Sequence, residues 1–128
     1  RRVLFRSMLY AVYISLGFAV LENISYSISY GWGTALIRAV TAVPGHACFG
    51  VFMGAFYGFA KQYERIGRMD LSRRYRKLAV VVPAFIHGCY DLILSVELPT
   101  IAFYTYTIAM FVLAFRLLRK MSDMDQYI

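Results

Sequence analysis

The sequence is 128 residues long, 60% hydrophobic and 17% aromatic, with only 16% charged residues. A soluble domain carries about 25% charged and 45–50% apolar residues, so this composition excludes an ordinary soluble globule and fits one membrane-embedded domain. The net charge of +7 does not imply a nucleic-acid partner, because the Lys and Arg residues lie between and after the apolar runs, where they set membrane topology.

The first seven residues, Arg1–Ser7 (RRVLFRS), look like the translation of a common sequencing adapter. They are set apart from fold reasoning, and the natural sequence is expected to enter near Met8. From Met8 to Tyr30 the chain carries a single charge, Glu22. About 20 apolar residues cross a ~30 Å hydrocarbon core, so this is the first predicted span. Gly31-Trp32-Gly33 is predicted to break it, with Trp32 at the interface. Thr34–Val43, bearing Arg38, reads as a short interfacial helix ended by Pro44-Gly45. His46–Ala60 is the second span. Its Gly50, Gly54 and Gly58 recur every fourth residue, a ridge that lets another helix backbone approach closely.

Lys61–Lys77 holds seven basic and two acidic residues. It reads as a polar loop that fixes topology and meets anionic lipid headgroups. Leu78–Val96 is the third span, with Pro83, His87 and Asp91 inside it, and Glu97-Leu98-Pro99 reads as a turn. Thr100–Leu118 is the fourth span, followed by Arg119-Lys120 and a polar tail, Met121–Ile128, with no apolar anchor. Cys48 and Cys89 lie in apolar runs and read as free buried thiols. The predicted fold is therefore all-α: a polytopic membrane bundle over residues 8–120, with four spans plus a short interfacial helix. Short cytoplasmic loops carry the excess of Lys and Arg. This rule places 61–77 and the C-terminus inside and 31–44 and 97–99 outside.

Four ionisable side chains remain in or at the mouth of the apolar runs: Glu22, His46, His87 and Asp91. At about 1.5 Å per residue, Glu22 lies ~21 Å from the Met8 end, and His87 and Asp91 lie ~14 and ~20 Å from Leu78. All four fall in the middle to outer bilayer although they come from three spans. His87 and Asp91 are also four residues apart, on one helix face. Two imidazoles and two carboxylates are standard ligands for a divalent metal such as zinc. Equally, a carboxylate can act as a general base while a histidine stabilises a developing oxyanion. Asn23 adds an amide able to bind a substrate carbonyl or to hold Glu22. One such residue in a span is as readily a packing feature. Four at matching depth point to function. A transporter or proton relay would use the same groups, although no internal repeat of the kind common in transporters is visible. A structural subunit docking through its glycine ridge is a third reading.

The segment Gly17–Asn23 (GFAVLEN) resembles the FxxxE(N) motif of the PrsW family of intramembrane proteases, and His87–Asp91 resembles its HxxxD motif. Arg38–Gly50 (RAVTAVPGHACFG) is similar to the segment between them, where an arginine precedes a histidine. The likeness covers about Leu9–Leu94. The family is related to the CAAX prenyl endopeptidase-like membrane proteases. The resemblance implies a peptidase acting on a membrane-anchored protein, such as an anti-sigma factor, from a bacterial plasma membrane. It implies Glu22, His46, His87 and Asp91 as site residues, with Arg38 and Asn23 positioning and Glu22, His46 and His87 holding zinc. On this reading Asp91 orients His87. The family's paired-glutamate EExxK motif, implied to activate the attacking water, is absent from these residues. The chain is therefore expected to be the C-terminal part of such a protease, without turnover on its own.

Overall fold

The computed structural model describes residues 3–96 and 99–124. They form four helices: α1 (Val3–Tyr30), α2 (Trp32–Arg65), α3 (Met69–Ser95) and α4 (Thr100–Met124). Each is long and apolar enough to cross a membrane, and the protein is an all-α integral membrane protein. In hydrocarbon the backbone must satisfy its own hydrogen bonds, which a helix does within one segment. Large apolar side chains such as Ile28, Val40, Phe85 and Ile101 accordingly point outward and are exposed. The longest helix, α2, packs against all three others, whereas α1 and α3 have no Cα atoms within 8 Å of each other.

Helices α1 and α2 form an antiparallel hairpin joined by one residue. Gly31 sits at φ +84°, a left-handed conformation that glycine adopts at little cost. Opposite this turn, the predicted glycine ridge meets the α1 backbone. A Cβ at Gly50 would stand 2.6 Å from the Val12 Cα. One at Gly54 would overlap the Met8 Cα, and one at Gly58 would meet Leu4. The buried cluster of Leu4, Met8, Phe49, Phe52, Tyr90, Met110 and Met121 fills the space around this contact.

The structure revises several boundaries. Thr34–Val43 is not a separate interfacial helix but the first part of α2, with Pro44 inside the helix. Proline removes one backbone donor, yet membrane helices tolerate it where neighbouring groups compensate. The carbonyl freed here is that of Val40, four residues earlier; separately, the Ser15 hydroxyl donates to the His46 carbonyl at 2.6 Å, tying α1 to the stretch just beyond the proline. Residues 61–77 are not a loop either. Only Ile66–Arg68 separates α2 from α3, with Gly67 at φ +76°. Lys and Arg are good helix formers. Glu64 accepts from Lys61 at 2.9 Å and from Arg76 at 2.8 Å, so charge strengthens these helix ends. Val3–Ser7 form the first turns of α1, and Leu4 is buried. The polar tail begins with a core residue, because α4 continues to Met124 and Met121 is fully buried. Glu97 and Leu98 of the predicted turn, Arg1–Arg2 and residues 125–128 lie outside the described residues.

Candidate functional site

Glu22 comes from the second half of α1, Arg38 and His46 from the first half of α2, and His87 and Asp91 from the second half of α3. The antiparallel hairpin brings Glu22 to the same level as Arg38 and His46. Those two are eight residues apart, close to two helical turns, and so share a face of α2. Glu22 Oε2 accepts a hydrogen bond from Arg38 Nη2 at 2.6 Å and lies 3.0 Å from His46 Nε2. His46 is 3% exposed. The His46 and His87 rings are 4.9 Å apart between centroids. One donor atom from each of Glu22, His46 and His87 lies within 4.8 Å of the other two.

Of the residues singled out from sequence, Glu22, Arg38, His46 and His87 therefore converge. Asp91 stands at the edge, half exposed, with Oδ2 3.7 Å from His87 Nδ1. That is beyond hydrogen-bond length, although the two groups remain an i,i+4 pair. Asn23 adjoins the site, but its amide donates to the Ala35 carbonyl at 3.2 Å, a tie between α1 and α2. Replacing Asn23 with Leu should lower helix-pair stability by about 0.6 kcal/mol, the usual worth of such a bond inside a membrane. Reversible unfolding in mixed micelles measures that difference.

Four further residues build the site. The Arg38 guanidinium lies 3.7 Å from the Tyr26 ring centroid, so a cation–π contact and the Glu22 ion pair hold it from two sides. Phe18 and Phe49 pack on both histidine rings, with centroid distances from 5.1 to 6.4 Å. Ser15 holds the His46 backbone. Spacing signals Phe18 and Tyr26, each four residues from Glu22 and so on its helical face, and Phe49, three residues after His46. Ser15 carries no such signal, because its partner is a backbone carbonyl on another helix.

The donor set suits a divalent metal. Two imidazoles and one carboxylate are the usual three protein ligands of a catalytic zinc with a fourth position open. At metal–ligand bonds of about 2.1 Å, tetrahedral donors stand roughly 3.4 Å apart. The separations, 3.0 Å between Glu22 Oε2 and His46 Nε2 and none above 4.8 Å, are compatible with that value. The Arg38 contact does not exhaust Glu22, since a carboxylate offers about four lone-pair sites.

The model of the PrsW family, described as intramembrane metalloproteases, matches residues 2–117. The chain belongs to that family. It is 41% identical to the protease PrsW of Bacillus subtilis over 88 residues, covering 69% of this chain and 38% of that protein. It is likewise 41% identical over 88 residues to the protease PrsW of Oceanobacillus iheyensis, covering 69% of the chain and 39% of that protein. With the Clostridioides difficile protease PrsW it shares 35% identity over 94 residues, 70% of the chain and 38% of that protein. The chain thus spans about two-fifths of the length of these PrsW relatives. No solved structure matches it.

Proposed function

We propose that the complete protein is a membrane-embedded peptidase of a bacterial plasma membrane that hydrolyses a peptide bond of a membrane-anchored protein, of which an anti-sigma factor is the expected kind. The observation that carries this reading is the convergence of Glu22, His46 and His87, from three helices, to within 4.8 Å. Intramembrane ionisable groups are costly, and a cluster of them facing one another marks a functional site by default.

In this reading Glu22, His46 and His87 hold the metal. When bound, a divalent ion such as zinc supplies Lewis-acid polarisation of a carbonyl and acidification of water. Arg38, braced on Tyr26, pairs with Glu22 and holds it beside His46. Asp91 steadies the His87 ring, as carboxylates beside metal-ligating imidazoles do. Phe18 and Phe49 wall the histidines and keep bulk water from their faces. The paired glutamate that activates the attacking water belongs, in this proposal, to the part of the relatives that the chain does not span. With the basic helix ends inside, the site lies towards the extracytoplasmic side.

The test is hydrolysis in ¹⁸O-labelled water by the complete protein, reconstituted with a single-span substrate. Hydrolysis places one ¹⁸O atom in the new C-terminal carboxylate and leaves a free amine on the other fragment. Absence of any cleaved substrate, alongside proton or ion flux that depends on His87, would replace the peptidase with a relay.

A further inference from the structure

Because the α1 and α3 backbones stay apart on either side of α2, a groove of about 680 Å³ runs between them at the end of the bundle opposite the site, floored by α2. Its apolar lining includes Tyr10, Ile14, Met53, Tyr57 and Val80. Tyr10, Ile14, Tyr57 and Val80 are all exposed. Four cations stand around it: Lys61, Arg65 and Arg76, and Arg6 from the adapter-like stretch, on which nothing below depends. Three of them lie on α2 and α3. The one carboxylate among these groups, Glu64, is engaged by both Lys61 and Arg76, so the cluster keeps a clear positive excess. Arg68, by contrast, is paired with Asp70 at 3.3 Å, and Arg74 and Lys77 line a smaller groove of about 390 Å³.

We propose that this groove is a binding site for one anionic phospholipid, with the phosphate among Lys61, Arg65 and Arg76 and an acyl chain along the trough towards Ile14. Charge complementarity selects an anion. The apolar lining beneath it selects an anion that carries a hydrocarbon chain. Basic residues at a membrane surface attract anionic lipid individually, and here α2 and α3 bring three of them to one apolar cleft. The stripe continues beyond the groove. Phe18 lies four residues past Ile14 on the same face of α1, and its ring packs on His46 and His87, so the lipid tail points towards the site. The inference rests on the groove and the membrane location, not on hydrolysis.

The experiment is native mass spectrometry of the full chain in detergent, titrated with dioleoylphosphatidylglycerol or dioleoylphosphatidylcholine. One phosphatidylglycerol adduct is expected, favoured over phosphatidylcholine by about fivefold or more, the effect of one well-placed cation. The K61Q/R65Q/R76Q variant should lose that preference. Ile14→Trp, which fills the trough and keeps every cation, should weaken the adduct as well. The R116Q/R119Q/K120Q variant, which removes as much charge elsewhere, should leave it intact. An equal loss in this control would show diffuse charge attraction and overturn the site. Displacement of the lipid by inorganic phosphate or glycerol phosphate would overturn the acyl trough, leaving an anion site only.

Discussion

Glu22→Gln in the complete protein is expected to reduce peptide-bond cleavage by roughly 10³-fold, with little change in fold. Glu22 is the centre of the site: its Oε2 meets both Arg38 and His46, and it supplies the one carboxylate of the three-donor cluster. The amide is nearly isosteric but loses the charge that pairs with Arg38 and that a cation needs. Removing a group of this kind costs about 10²–10⁴ in rate. Asp91→Asn should cost less, about 10–100-fold, as expected for a group that acts through a neighbouring ligand. Arg38→Lys separates positioning from mere charge, because lysine keeps the cation but loses the planar contact to Tyr26. An intermediate rate is expected for it, with Arg38→Gln lower. Initial rates on one reconstituted substrate, checked against helical circular dichroism, decide the ranking. Equal rates for wild type and Glu22→Gln would remove Glu22 from the chemistry.

The second large effect concerns the fold. Gly54→Ala should destabilise the bundle by more than about 3 kcal/mol, at or beyond the upper end of ordinary overpacking. The added methyl meets the Met8 backbone, which cannot rotate away, so α1 and α2 must separate over their whole contact. Gly33→Ala is the control. Nothing lies within 4 Å of a Cβ there, and alanine is the better helix former, so stability should hold or rise slightly. Unfolding of both variants in mixed micelles, followed by circular dichroism, measures the contrast.

The features legible in the sequence were those with a period or a chemical cost. Glycines every fourth residue gave a close helix approach, whose partner proves to be α1, and apolar runs gave four spans. Glu22, His46 and His87 stood out because charge in an apolar run is expensive. Their depths from the helix ends anticipated the level at which they meet. What the sequence hid was continuity and partnership. Pro44 reads as a stop, yet the helix passes through it with Ser15 bonded just beyond. Residues 61–77 read as loop because they are charged, yet long basic side chains sit well on helix ends that project from the bilayer. Met121 read as part of a polar tail, yet it closes the core beside Gly58. Arg38 reads from sequence as a positioning cation on a short interfacial helix. The hairpin turns it inward onto Glu22 and Tyr26, an encounter fixed by tertiary register that no local pattern encodes.

The most direct test is metal binding by the 128-residue chain itself in detergent, using Co²⁺ as a spectroscopic reporter together with elemental analysis. If Glu22, His46 and His87 form one ligand set, one Co²⁺ binds per chain with the visible absorption of a low-symmetry, four- or five-coordinate N/O site. Zn²⁺ displaces it, and His46→Ala or His87→Ala abolishes it, whereas Asp91→Asn weakens it by about 10–100-fold. No bound ion above background, or binding indifferent to both histidine substitutions, would contradict the account.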